Sequence, residues 1–495
     1  MKASSLLFFI LGFSVVAHPQ SPDPAMTFIT AGLNAMGGAQ KLHDLAGIHL
    51  VASVVRNELE QSERPEGPYI LETGQVEEWR DFRAAAWKKR SKAHVSMQPE
   101  FIVEAVVDEG AASLSYDGHP APASGQQLQD AAEALAISPE RVLITAAASA
   151  DLRSLPDSVL QGVTHHAIAF TWNRRLIRVY LNSDTHLPTE VEWTCAYPYG
   201  VFWSIWGDVN TRIYYSFWWL QDGIHYPLQA DIFRDGLHDQ TLTITKLEFN
   251  TSFSPSTFSI TPETRTAFTS RAGKTIDDRA PGQAVTELAP GILFIPGAWN
   301  TTIIRQEDGI VILEAPISSG YSAKVIQLAK TKFPGIPIKA VITTSDSWPH
   351  IGGVREYVAE GIPAYVLDRT VPLIDRFLYA PRIEFPDHLS QKPTPPVLLP
   401  VSGKTVVGSG PNRIEIYPIH GETSERQMMV YFPEQKLLYG SDPFQELEER
   451  ELFYPQTVSE LSDAVAREQL TVDRFFMMHI GPTPWLRVRQ TLEPL

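Results

Sequence analysis

Cysteine is nearly missing: Cys195 is the only one in 495 residues. No intrachain disulfide can form, so the folded state must rest on core burial. Positive charge is also scarce. Lys and Arg number 41 against 57 Asp and Glu, a formal net charge of −16. That balance sets the chain against nucleic acid and anionic membrane surfaces, whose phosphates it would repel. The basic run Lys88-Lys89-Arg90 with Lys92 reads as a solvated strand edge or loop. Beyond the N-terminus no apolar run is long enough to cross a bilayer as a helix. Ser345 and Ser347 lack a Gly-x-Ser-x-Gly elbow, which argues against serine hydrolysis. Gly408-Ser409-Gly410 runs into Pro411 and reads as a turn, not a dinucleotide cradle.

What is present is globular in character, with 43% hydrophobic and 20% charged residues, and too long for one ordinary core. Lys2, the apolar run 6–16 and the small-residue pattern Val15-x-Ala17 form the pattern of a cleavable signal peptide over 1–17. The mature chain is then expected to start near His18, to be periplasmic or secreted, and to keep no transmembrane segment. An uncleaved N-terminal anchor is the alternative.

The N-terminal half opens with Ile29, Leu33 and Met36 on one helical face, stopped by Gly37-Gly38. Period-two alternation follows at 50–55, 101–107, 176–181, 190–193, 213–219 and 242–249. Asp117-Gly118, Asp222-Gly223 and Asp235-Gly236 mark tight hairpin turns. These features predict an antiparallel sheet domain over 24–260. Trp203, Trp206, Tyr214, Tyr215, Phe217, Trp218 and Trp219 read as its packed core and rim, with a lipid-binding concavity as the sharper reading. His165 and His166 fall on opposite faces of a strand and are poor joint ligands. The Ala-Met-Gly-Gly helix end, the long antiparallel sheet and Asp222-Gly223-x-x-Tyr226-Pro227 resemble, in pattern only, the periplasmic lipoprotein carriers of LolA type. Periodicity disappears after Thr261, predicting a linker over 261–284.

In the C-terminal half three short strands are expected at 291–296, 302–305 and 310–313, followed by a helix over 321–332. A buried strand at 338–342 then runs into Thr343-Thr344-Ser345-Asp346-Ser347-Trp348-Pro349-His350-Ile351-Gly352-Gly353. His350 thus sits where a strand end meets a helix start, the usual place for a site in α/β sheets. The stretch resembles the metallo-β-lactamase superfamily, whose loop reads Thr-His-x-His-x-Asp-His before a Gly-Gly helix start. The departures are Ser345 and Ser347 for two histidines and Pro349 for the aspartate; His350 alone is kept. Two later landmarks support the resemblance. Asp442 ends a strand–turn–strand where the family has its metal-bridging aspartate, and His479 ends the run Phe475-Phe476-Met477-Met478 where the family has its last histidine. The remaining family histidine falls on Thr423 by ungapped counting or on Glu422 if Gly421 is matched; His420 reaches it only if the loop shifts.

The resemblance implies an α+β chain whose residues 285–495 form a four-layer αββα metallo-β-lactamase-like sandwich. It also implies a reduced site holding one divalent metal, Zn²⁺ or Fe²⁺, on His350, His479 and Asp442, with His420 as a further candidate ligand. In that reading Asp442 and His350 carry catalysis, with His420 or Glu422 as proton shuttle. The expected function is hydrolysis of an ester, lactam or similar bond in a small-molecule or lipid-like substrate. The alternative is a non-catalytic module that binds lipid, peptide or protein.

Overall fold

The computed structural model describes residues 23–59, 67–96, 98–200, 206–444, 452 and 455–492. The signal-peptide reading over 1–17, His18 and Trp203 lie outside the described residues.

The helix Ala25–Ala35 ends at Gly37 and Gly38, whose φ of +121° and +104° suit glycine. A thirteen-stranded sheet follows, antiparallel at every pairing. Its first six strands, from Gly47–Asn57 to His119–Ala121, are laid side by side in chain order. The chain then passes through the helices Gly125–Ala136 and Val142–Ala147 to the opposite edge. From Arg153–Leu160 it meanders back until Leu237–Phe249 pairs with Gly47–Asn57. At Asp117-Gly118, Asp222-Gly223 and Asp235-Gly236 both residues have positive φ, the backbone that matches the twist of a two-residue hairpin. His165 is buried, while His166 stacks on Phe28 and lies 3.0 Å from Asp157.

The stretch expected to be an aperiodic linker holds short helical elements. Thr261 caps the helix Pro262–Thr269, with Pro262 in the first turn, and the 3₁₀ turn Ile276–Asp278 follows. Phe268 and Ile276 are buried. Ile276 N–H donates to Pro198 O at 2.9 Å and Gly320 N–H to Asp277 Oδ1 at 2.8 Å, so this segment is tied to both halves of the chain.

The C-terminal half contains a seven-stranded and a six-stranded sheet. Gly309–Leu313, Ile338–Ile342, Ala364–Leu367 and Leu398–Val401 run parallel in the first, joined by helices such as Ser319–Lys332 and Val354–Ala359. Buried on both faces, Gly309–Leu313 is a continuous apolar run without alternation. Val311 and Leu313 pack with Val430 and Phe476 of the six-stranded sheet, whereas Ile310 and Ile312 belong to the cluster that includes Val325, Val354 and Tyr357 of the helices. The outer face of the six-stranded sheet packs Met429 and Phe475 with Val458, Leu461 and Val488 of the last two helices. No helix among the described residues is long and apolar enough to cross a membrane.

Candidate functional site

His350 is placed by two strand ends. Glu314 follows the strand Gly309–Leu313 and donates its N–H to Ile342 O at 2.8 Å. Its φ of +73° is unusual for a residue with a side chain, and the carboxylate that results is fully buried. From the adjacent strand Ile338–Ile342 the chain enters the loop, where Ser347 N–H donates to Ser345 Oγ at 3.2 Å and the short helix Trp348–Ile351 begins. Ala315 N–H donates to His350 O at 3.1 Å and Gly353 N–H to Ala315 O at 2.8 Å, stitching the two segments together. Gly353 is required by packing: a Cβ there would lie 2.5 Å from Ser318 O and 2.1 Å from Ser322 Oγ.

His350 Nδ1 lies 3.0 Å from Glu314 Oε2. Thr344 Oγ1 contacts Glu314 Oε1 and lies 2.8 Å from Ser441 Oγ. The other ring nitrogen, His350 Nε2, is buried without a hydrogen-bond partner, and Asp442 Oδ2 is 4.0 Å away. Asp442 follows Ser441, whose φ is +66°. Asp442 Oδ1 lies 3.3 Å from His479 Nε2, and His479 Nδ1 lies 2.9 Å from Ala298 O. Asn300 Nδ2 donates to Met477 O at 2.9 Å and holds the strand end that carries His479. Burial disfavours the His350 imidazolium, but the charges of Glu314 and Asp442 outweigh it and its pKa is raised. Burial acts on His479 in the same sense, and Asp442 again outweighs it to raise the pKa.

The residues standing where the family has other ligands are committed elsewhere. Ser345 and Ser347 build the turn. Asp346, buried between them in sequence, pairs with Arg426. Thr423 N–H and Oγ1 both donate to the Glu460 carboxylate at 3.0 Å, which also accepts from Glu422 N–H at 2.9 Å. The Glu422 side chain is exposed. His420 is also exposed, with a φ of +59°. Its pKa is lowered by burial and by the nearby charges of Arg467 and Arg369. Thus Asp442 lies within 4.0 Å of both His350 and His479, while His420 takes its surroundings from a different set of charges.

Among the described residues, one His/Cys/Asp/Glu cluster has ligand atoms all within 4.8 Å of one another: Glu356, Glu360 and His388. His388 Nδ1 is 3.0 Å from Glu356 Oε1, and Glu360 pairs with Lys330 at 3.3 Å. The set around Asp442 is therefore more open than this. Sequence reasoning missed both that cluster and Glu314. A carboxylate closing the apolar run Ile310-Val311-Ile312-Leu313 was the available signal for Glu314, because an acid there must be satisfied inside the protein.

No protein-family model matches the chain, and no curated protein does. Solved structures that are similar include the DIM-1 metallo-β-lactamase exposed to ceftazidime, at 14% identity and a TM-score of 0.34, over 43% of this chain and 97% of that one. A metallo-β-lactamase from Pontibacter korlensis has 16% identity and a TM-score of 0.34, over 42% and 96%. The FIM-1 metallo-β-lactamase from Pseudomonas aeruginosa in its mono-zinc form has 16% identity and a TM-score of 0.33, over 44% and 95%.

Proposed function

We propose that the chain is a metal-dependent hydrolase with a reduced site for one divalent ion on His350, Asp442 and His479, in a domain of metallo-β-lactamase-like layering. The observation that carries this reading is the two-sided setting of His350. Its Nδ1 lies 3.0 Å from the buried Glu314 carboxylate, the side on which ligating imidazoles usually meet an orienting acid, and its Nε2 is buried without a hydrogen-bond partner, with Asp442 Oδ2 4.0 Å away. Two imidazoles and a carboxylate suit Zn²⁺ or Fe²⁺ and leave a position open. With Ser345, Ser347 and Thr423 engaged in local hydrogen bonds, a second ion lacks ligands. A bound ion would supply a water acidic enough to ionise near neutral pH. The chain's own part is to hold the His350 ring through Glu314, to keep Thr344 and Ser441 linked beneath it, and to present Asp442 as ligand and proton acceptor.

The test is metal analysis on dialysed full-length protein. One ion per chain is expected, lost in the double variant His350→Ala/His479→Ala and kept in Ser345→Ala and His420→Ala. Affinity should weaken as pH falls through the raised imidazole range, because each ligand nitrogen must shed its proton. Two ions, or none, would overturn the proposal. A second reading, a non-catalytic binding protein, is favoured by the openness of the set relative to the Glu356 cluster; absence of any bound ion together with intact folding selects it. Export is part of the same proposal, supported by the N-terminal sequence pattern, and intact-mass measurement of the exported chain should give a start near His18.

A further inference from the structure

The N-terminal half contains a cavity of about 200 Å³ between the thirteen-stranded sheet and the helix Gly125–Ala136. We infer that this cavity binds a small amphipathic carboxylate, with its apolar body against the sheet and its anionic end at Lys89. The inference is independent of the metal site.

The walls are apolar where the sheet supplies them: Leu50, Val76, Trp193, Ile213, Ile232 and Ile244 all line the space. An apolar void of about 150 Å³ admits benzene, so this one takes a body of about eight heavy atoms. Five charged residues also line it: Glu78, Arg80, Lys89, Glu133 and Arg234. Three cations and two carboxylates line the space itself, and the carboxylates of Glu140, Asp239 and Asp130 stand behind them.

All but one of these charges are already engaged. Arg80 holds both oxygens of Glu78 at 2.9 Å and reaches Glu140 at 2.9 Å. Glu78 also accepts from Trp87 Nε1 at 2.7 Å. Glu133 pairs with Arg175 at 2.9 Å. Arg234 lies 3.1 Å from Asp239 and donates to Tyr197 Oη at 2.8 Å. Lys89 differs. It is half-buried and opposite Glu78 in the strand register, yet among the described residues no carboxylate comes within 4.0 Å of its Nζ. Glu78 and Asp130 act on it only through space, and Asp130 is itself held by Gln126 at 2.8 Å. An ammonium facing an apolar space without a close counter-ion selects an anion, and a carboxylate completes the pair with charge-assisted hydrogen bonds. A neutral ligand would leave Lys89 as it stands, and an amine would be repelled by it.

Isothermal titration of full-length, chelator-dialysed protein with octanoate, octan-1-ol and octylamine tests this. Octanoate should bind one per chain, about tenfold or more tighter than octan-1-ol, and octylamine should bind more weakly than either. Lys89→Met should bring octanoate down to the octan-1-ol level and leave octan-1-ol unchanged. Ala230→Trp, which fills the space, should abolish both. Because that variant can fail to fold, an octanoate-induced change in the fluorescence of Trp193, absent in Trp193→Phe, gives a second readout of the same position. Octanoate that does not bind, octylamine that binds as tightly, or an unchanged octanoate affinity in Lys89→Met would overturn the inference.

Discussion

Removing the Glu314 side chain would leave the fully buried His350 with Asp442, 4.0 Å from Nε2, as its remaining carboxylate contact. Breaking a buried pair from one side costs about 3–5 kcal/mol, so Glu314→Ala should lower the denaturation midpoint strongly. Glu314→Gln, which keeps a hydrogen-bond acceptor, should cost less and should move the His350 imidazole titration downward when followed by NMR. A second effect at this scale concerns Glu133, which burial and the neighbouring Asp130 push up to about 7 against the opposing Arg175. An unfolded glutamate titrates near about 4.3. Between these values the folded state holds the proton more tightly, so stability falls as pH rises through this window and levels off above it. His350 has the same sign: its pKa is raised, so its contribution is whole below the unfolded imidazole value and is lost as pH rises through the higher folded one. The thermal midpoint should therefore be lower at pH 8 than at pH 5.5, with Glu133→Gln removing about 2 kcal/mol of the difference. A midpoint that rises over this range would contradict the assignment. Asp442 and His479 stand out in the sequence because each lies just past an apolar strand, and His350 because it lies in the turn and short helix that follow the strand Ile338–Ile342. Glu314 beside His350 and Arg426 beside Asp346 do not stand out, because they come from other stretches of chain and meet the loop only in the folded state.

At the scale of elements, the segment 377–392 joins the two halves of the chain. It contains the end of the helix Val371–Leu378 and the short helix His388–Gln391, with a bridge to the N-terminal half between them. Asp208 N–H donates to Pro381 O at 2.7 Å, Asp208 Oδ2 accepts from Ile383 N–H at 2.6 Å, and Glu384 Oε2 accepts from Ala196 N–H at 2.7 Å. Arg355 anchors the segment from beneath: it contacts Leu378 O, grips Asp387 with two nitrogens and donates to Ser390 Oγ at 3.0 Å. Burial alone would raise the Asp387 pKa, but Arg355 and Arg382 hold it well below the usual carboxylate range. Arg355→Ala should cost about 3–5 kcal/mol, seen as a shifted urea midpoint with an unchanged slope. The three Asp-Gly hairpins could be read directly, since their backbone chemistry is local. The bridge could not, because nothing in the residues 379–387 announces a partner nearly two hundred positions earlier.

For the whole molecule, one apolar cluster joins the halves. It includes Ile48, Trp193 and Tyr215 from the first and Ile312, Tyr357 and Phe377 from the second, with Ile276 from the segment between. A single cooperative thermal transition is expected, monitored by near-ultraviolet circular dichroism and by calorimetry. Two resolved transitions would show that the halves unfold independently. Alternation in the sequence marks six of the thirteen strands of the first sheet, while strands rich in charged residues such as Leu71–Asp81 and Ala86–Val95, the latter holding the run Lys88-Lys89-Arg90 and paired on both sides, do not stand out. The order of strands in the sheets and the sharing of the core are set by contacts between distant residues, which no single window records.

The pairing of Ile48 with Phe249 and of Arg56 with Gln240 also has a consequence in time. The strand Gly47–Asn57 lies in the middle of the sheet, yet one of its two hydrogen-bonded edges stays open until the strand Leu237–Phe249 has been synthesised. Until then the nascent chain carries a six-stranded ribbon whose inner edge can pair with any passing strand. Such late, long-range closure makes folding slow and leaves a long interval in which association with another chain competes. The hazard is greatest for a chain halted after residue 121, which holds all of the first ribbon and none of its complement.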